Sequence, residues 1–372
     1  MLFRSLKNRL PRIIEATMHL NADLVALQEV EDFERDYAQP LSSAGYAGHF
    51  KKRTGDAQRD GVALVWRTSR LTLLHIEDLE YAHLLTEGVA DLQAAEKLRK
   101  PHVGVVGVFR DNQCGRELVV ATTHLLWNPK RGLVKLRQLQ CLLGRVAALR
   151  AGIDERARAV VVLGDMNCTP GSPLHQFLLT GVLRAPLHTE AHWDGQRQPP
   201  AAQQAQRNVQ MQMQMQWQRQ QQQHYHHQQH QQHHQQYQLH HQQWQQPGLP
   251  PLPPPLPADG STVIRPPSSA CPPASSSARD SSRLVEETHA LADQLTSAYG
   301  WIGEPQCTSF HSGFQGTVDY VLLTAEQLVV QQLLPTPMWP EIAARRSLPD
   351  WHTPSDHLPI AADLRWRHTQ PR

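Results

Sequence analysis

Acidic, amide and imidazole side chains gather at five points of the sequence: Glu29 in LQEV, His124 in TTHLLWNPKRG, Asp165 and Asn167 in LGDMN, Asp319 in TVDY, and Asp356-His357 in PSDHLP. Asp165 and Asn167 follow the apolar run AVVVL, which reads as a buried strand emptying polar groups into a cleft. On extended backbone a spacing of two turns both side chains to one side, toward one phosphate or metal. A plain strand-to-turn junction also favours Asp and Asn, so the pair draws its weight from the other four stretches. Glu29 follows Gln28 and an apolar strand, where a hard cation can use one carboxylate while keeping most of its water; taken alone, Glu29 is an ordinary solvated acid. His124, at a strand exit, can donate to a phosphoryl oxygen. Asp319 and His357 suit a charge pair, since a carboxylate fixes the tautomer of an imidazole and favours its protonated form.

These groups need elements to carry them. Leu6, Leu10, Ile13, Ile14 and Thr17 follow helical spacing, and Asn21-Ala22-Asp23 ends that helix before a strand from Leu24 to Leu27, leaving Glu29 just past the strand end. Residues 46–52, 60–67 and 71–79 read as successive strands of one sheet. Residues 103–109 and 117–124 read as a hairpin that delivers His124. Leu133, Leu136, Leu139, Leu143, Val146 and Leu149 form an apolar helical stripe, with the Lys and Arg residues as its wet face. Asn128, Lys130 and Arg131 precede it in a loop where cations can meet an RNA backbone, although solvation explains Lys130 and Arg131 equally well. A short helix runs from Ser172-Pro173-Leu174 to Leu179, another from Arg283 to Leu295; strands are expected at residues 317–322, carrying Asp319, and 360–364.

The 372 residues, 40% of them hydrophobic, suffice for a substantial core. A formal charge of +2 gives no basis for nucleic-acid binding from net charge. Five cysteines without CxxC spacing speak against a disulfide framework and a zinc site, and favour a reducing compartment. No run approaches 18 apolar residues, so no membrane span is expected. From residue 194 to 282 the composition becomes Gln-, His-, Pro- and Ser-rich, which cannot bury enough apolar area to offset its ordering entropy. The expected organisation is one catalytic domain in two parts, residues 1–193 and 283–372, separated by a disordered insertion that could recruit protein partners.

In order, the Glu, His, Asp-x-Asn, Asp and Asp-His stretches resemble the endonuclease/exonuclease/phosphatase superfamily, over residues 1–190 and 284–366. HLLWNPKRGLVKLRQLQ and SDHLP are most similar to the Angel proteins, relatives of nocturnin and the poly(A) deadenylases, although Trp127 stands where a Tyr is usual. The resemblance implies an α/β fold, a two-sheet sandwich flanked by helices. It implies magnesium (Mg2+, with Mn2+ as a substitute) on Glu29 and Asp356; Asp165 orienting or deprotonating water; Asn167, His124 and His357 donating to phosphoryl oxygens; and Asp319 holding His357. Asn128 and Arg131 are the further substrate-binding candidates. The family pattern begins with a strand upstream of the Glu motif, whereas this chain opens inside the following helix, so the first strand is expected to be missing and activity to be weak or absent. The implied substrate is the RNA 3′ end: 2′,3′-cyclic phosphate hydrolysis, or 3′-to-5′ removal of poly(A). Dinucleotide, inositol and lipid phosphates stay open, as does an inactive binding scaffold. Cytosol is the expected location, with nucleus and mitochondrion open.

Overall fold

A computed structural model describes residues 6–150, 158–196 and 284–367, apart from residues 293 and 346. In chain order the elements are α1 (Leu6–His19), β1 (Leu24–Val30), α2 (Gln39–Ser43), β2 (Tyr46–Lys52), β3 (Gly61–Arg67), β4 (Leu71–Glu80), α3 (Tyr81–Leu84), α4 (Leu92–Leu98), β5 (Val103–Asp111), β6 (Glu117–His124), α5 (Gly132–Arg150), β7 (Arg158–Asp165), α6 (Pro173–Thr180) and β8 (Val182–Pro186). After residue 283 come β9 (Leu284–Thr288), β10 (Leu295–Ser297), β11 (Ser309–His311), β12 (Phe314–Gly316), β13 (Asp319–Thr324), β14 (Leu328–Leu333), α7 (Trp339–Ala343) and β15 (Ala362–Trp366). The segments on both sides of residues 197–283 belong to one compact unit.

Side-chain alternation along the strands sorts the core into layers. A six-stranded sheet runs β10-β13-β7-β6-β5-β4, and a three-stranded sheet runs β1-β3-β2. Val160 and Val162 of β7, Val119 and Ala121 of β6 and Tyr320 and Leu322 of β13 face α5 and α6, joining Leu136, Leu139, Leu143 and Phe177. The alternate residues Val161, Val120, Val321 and Leu323 face the smaller sheet and meet Val62, Leu64 and Trp66 of β3. On the far side of β3, Ala63 and Val65 pack with Val30, Phe33 and Tyr37, and with Leu10, Ile13 and Ile14 of α1. Helix, sheet, sheet and helix therefore stack in that order, the expected two-sheet sandwich. Strands buried on both faces need apolar residues at every position, which is why AVVVL reads as an unbroken run.

Several elements differ from the sequence expectation. β4 does not join β2 and β3 but pairs with β5 in the larger sheet. Within the span expected as a helix from Arg283 to Leu295, Leu295 opens β10 and residues 284–288 are instead the strand β9, paired antiparallel with β8. There Arg184 and Glu286 form a cross-strand ion pair, and the tertiary pairing overrides a helical spacing of leucines. The last strand, expected at residues 360–364, runs from Ala362 to Trp366 because it is matched to β14 from Leu328 to Leu333. β13 starts at Asp319 rather than residue 317. Asp194, expected to open the insertion, is instead fully buried. Residues 197–282 of the expected insertion, Cys271 among them, lie outside the described residues. Cys114, Cys141 and Cys168 are free thiols. Among the described residues no helix is long and apolar enough to cross a membrane.

Candidate active site

β7 is the axis of the site. β6 lies parallel to it with His124 opposite Asp165, and β13 lies antiparallel with Asp319 opposite the same residue. Three strands thus end level, each contributing one ionisable side chain at its C-terminal or N-terminal tip. Gly164 permits this closeness. Its φ of +136° suits glycine, and a Cβ there would lie 2.2 Å from the carbonyl oxygen of Thr123 on β6. Beyond Asp165 the backbone stays pinned on both sides: Leu125 N donates to Asp165 O at 3.0 Å, and Met166 N donates to Val318 O at 2.8 Å. The Asp165 carboxylate accepts the Asn167 amide at 2.8 Å through one oxygen, while the other lies 3.5 Å from His124 Nε2.

His357 enters from the segment before β15. Phe310 N donates to Asp356 O at 3.1 Å and Leu358 N donates to Thr308 O at 2.7 Å, so the segment is stitched on both sides of His357 to β11 and the residue before it. Nδ1 of His357 and Oδ2 of Asp319 are 2.8 Å apart. Asp319 is itself steadied, because Thr308 Oγ1 accepts its amide at 3.2 Å and that of Val318 at 3.0 Å. The polar atoms of Asp165, Asp319 and His357 all approach within 4.8 Å of one another.

Burial splits the proton affinities of this cluster. It lifts the Asp165 carboxyl to about 7, and the Asp319 charge adds to the effect. For His357 burial opposes the charged form, but the adjacent Asp319 carboxylate overcomes it and raises the imidazole to about 10. At neutral pH His357 is therefore a cation held by Asp319, with Nε2 as a donor. His124 is driven the other way by burial and stays neutral. A group poised near neutrality beside a fixed imidazolium is a proton acceptor next to a hydrogen-bond donor, the pairing that acid–base catalysis needs.

Asn167 holds a left-handed φ of +46°, one of three such non-glycine residues among those described, and another is Glu29 at +55°. One N–H of its amide donates to Leu125 O at 2.9 Å, and Oδ1 accepts from Gln196 Nε2 at 3.2 Å. A primary amide has two N–H donors, so one of them is not used by the Leu125 carbonyl. Glu29 does not sit past a strand end as expected; it occupies a bulge inside β1, where the pairing with β3 shifts register between Gln28 and Val30. Gln28 reaches Thr122 Oγ1 on β6 at 3.3 Å, tying this bulge to the neighbouring sheet. The Glu29 carboxylate is close enough to act electrostatically on His124, and that of Asp356 acts likewise on His357.

Asp165, Asn167, His124, Asp319 and His357 thus converge, while Asn128 and Arg131 lie in the loop after β6. Asn128 Oδ1 accepts Lys130 N at 2.9 Å and its carbonyl accepts Arg131 N at 3.1 Å, so Asn128 shapes the turn; Arg131 is exposed. Trp127, in the same loop, is 64% exposed. Sequence reasoning missed Lys135. Assigned to a wet helix face, it is wholly buried beneath Asn167, donating to its carbonyl at 2.8 Å and pairing with Asp194. The signal for that role was its spacing: Lys135 lies four residues before Leu139 and seven before Leu142, both buried, so it shares their face of the helix. A second missed group is His102, buried edge-to-face against His124 with ring centroids 6.3 Å apart; burial lowers its proton affinity to about 3.

The profile of the Endonuclease/Exonuclease/phosphatase family matches residues 4–357. Among curated relatives, Carbon catabolite repressor protein 4 homolog 3 of Arabidopsis thaliana is 32% identical over 186 residues, covering 50% of this chain and 38% of the relative. Protein angel homolog 2 of Bos taurus is 33% identical over 180 residues, covering 47% of this chain and 31% of the relative. The chain therefore spans well under half the length of these relatives. A solved structure of ANGEL2, described as a 2′,3′-cyclic phosphatase in complex with adenosine-2′,3′-vanadate, superposes with a TM-score of 0.65 at 25% identity, covering 96% of this chain and 85% of that one.

Proposed function

The chain belongs to the endonuclease/exonuclease/phosphatase family, and from that premise we propose that it is a magnesium-dependent phosphoesterase that opens 2′,3′-cyclic phosphates at RNA 3′ ends. The observation that carries this reading is the convergence of Asp165, Asp319 and His357 within 4.8 Å, with Asp165 near 7 and His357 near 10. The choice of substrate within the family rests on the likeness to ANGEL2.

In this mechanism Asp165 accepts the proton of the attacking water while the Asn167 backbone amide holds its other oxygen. His357 donates through Nε2 to a phosphoryl oxygen, and Asp319 keeps its charge in place through Nδ1. The neutral His124 and the second N–H of the Asn167 amide donate to the remaining phosphoryl oxygens. Arg131 and Asn128 line the approach of the RNA backbone.

A divalent cation has a suitable place in this arrangement. The three-residue cluster is a poor cage for one, because its imidazole is cationic and its Nδ1 is taken up by Asp319. Glu29 fits better: its carboxylate makes no hydrogen bond or ion pair among the described residues and is close enough to His124 to act on its charge. Glu29, with Asp356, would hold the ion, which supplies charge neutralisation at the phosphoryl group and leaving oxygen.

The test is to incubate the chain and Asp165→Asn with magnesium and two matched RNA oligomers, one ending in a 2′,3′-cyclic phosphate and one in a poly(A) 3′-hydroxyl. Ring opening without shortening, abolished in Asp165→Asn, is expected. Progressive shortening of the poly(A) oligomer would replace this reading with a deadenylase, and inertness toward both, repeated with a chain extended upstream of residue 1, with another phosphoester substrate or a binding scaffold.

A further inference from the structure

Under the catalytic loop lies a charged pair that the proposed chemistry does not use. Lys135, in the first turn of α5, and Asp194 are both fully buried and in direct contact. The three protons of the ammonium meet three acceptors: the Asp194 carboxylate, Asn167 O at 2.8 Å and Trp127 O at 3.5 Å. Asp194 in turn organises the chain around it. Its carboxylate accepts Gln196 N at 3.0 Å, and its carbonyl accepts Thr169 N at 2.7 Å. Gln196 then donates through Nε2 to Asn167 O at 2.8 Å. Two donors thus converge on one carbonyl, that of a residue in a left-handed conformation non-glycine residues seldom adopt.

Stability alone does not account for such a pair. Buried ion pairs are commonly no better for folding than apolar residues of the same volume, because desolvation offsets the attraction. What the pair does uniquely is reach Asn167 and the Trp127 loop together. We propose that Lys135 and Asp194 are positioning residues, whose buried pair clamps the Asn167 carbonyl and thereby aims the Asn167 side-chain amide at the phosphoryl group. The clamp rests on the reading of Asn167 as a phosphoryl donor for its functional consequence, but not for its structural one.

The experiment separates the two. Lys135→Met/Asp194→Leu removes both charges and keeps most of the volume. In the metal-free protein, hydrogen exchange at the Asn167 amide is expected to quicken at least ~10-fold, with β5 and β6 unchanged; unchanged exchange at Asn167 overturns the clamp whatever the activity. On the cyclic-phosphate oligomer kcat is expected to fall ~10- to 100-fold with KM within ~3-fold, since small misplacements of a polar group carry losses of that order. In an Asn167→Ala background the same double change should remove less than ~3-fold more. A fully additive loss would mean that the pair acts elsewhere and would also overturn the proposal. Should the double variant melt early, Asp194→Asn keeps the shape and supplies the same comparison. A parent chain that hydrolyses neither oligomer, even when extended upstream of residue 1, refutes the functional reading, while exchange still decides the clamp.

Discussion

Replacing Asp319 by Asn removes one charge and almost no volume, and its effect should depend on pH in a way that can be worked out from the site. Asn Oδ1 still accepts the His357 Nδ1 proton, so the ring keeps its orientation. What disappears is the carboxylate that holds His357 near 10 against the burial that opposes its charge. Taking the variant's imidazole back to its ordinary value near 6.5 sets the size of the effect. At pH 8 the protonated fraction then drops from ~99% to ~3%, a loss of ~30-fold in kcat/KM, whereas at pH 6 the same cause removes less than ~2-fold. Asp319 also helps raise Asp165, so the acid limb, set near 7 in the parent, should move down with it. The whole bell shifts to lower pH. The assay is kcat/KM on the cyclic-phosphate oligomer from pH 5 to 10. A uniform loss across that range would refute the assignment of His357 as a cation held by Asp319. Stability gives an independent check. A raised His contributes stability that is fully present below 6.5 and lost as pH rises through 10, so the parent should weaken across that window and Asp319→Asn should not.

Other variants probe the frame around the site. His102, with burial lowering it to about 3, contributes stability that is present above 6.5 and lost as pH falls toward 3; urea unfolding at pH 7.5 and 5 should show His102→Leu losing less on acidification, by up to ~1.4 kcal/mol per pH unit. Gly164→Ala places a Cβ 2.2 Å from Thr123 O at a φ of +136°, and should cost ~3 kcal/mol or more, read as a clear fall in Tm; a Tm within error of the parent would contradict the close packing of β6 on β7. Arg131→Ala, at an exposed loop position, should leave stability within ~0.5 kcal/mol, raise KM for RNA and reduce the salt dependence of binding by about one unit of slope.

The parts of the fold legible in the sequence were those that local pattern controls. AVVVL declared a strand buried on both faces, the leucine stripe of α5 declared a helix packed on a sheet, and the acidic and imidazole residues singled out by their order include three, Asp165, Asp319 and His357, that the fold brings together. What escaped depended on distant partners. Leu284–Thr288 is a strand only because Val182–Pro186, about a hundred residues earlier, offers an edge to pair with. β4 carries the same alternation whichever sheet it joins, and only its pairing with β5 decides. Lys135 looked like a solvated cation because its counter-ion, Asp194, comes 59 residues later at the threshold of a low-complexity tract. The bulge at Glu29 was hidden for a different reason: a register shift of one residue leaves no mark on composition.

The central claim is that Asp165 activates water against an RNA-terminal phosphoester, and a single-turnover comparison tests it most directly. The parent chain and Asp165→Asn would be mixed in excess with an oligomer ending in a 2′,3′-cyclic phosphate and magnesium, with binding measured separately. The account predicts ring opening by the parent and a rate lower by ~100- to 10,000-fold in the variant, the range of a lost general base, at unchanged affinity and Tm. A variant that opens the ring within ~3-fold of the parent rate would contradict it.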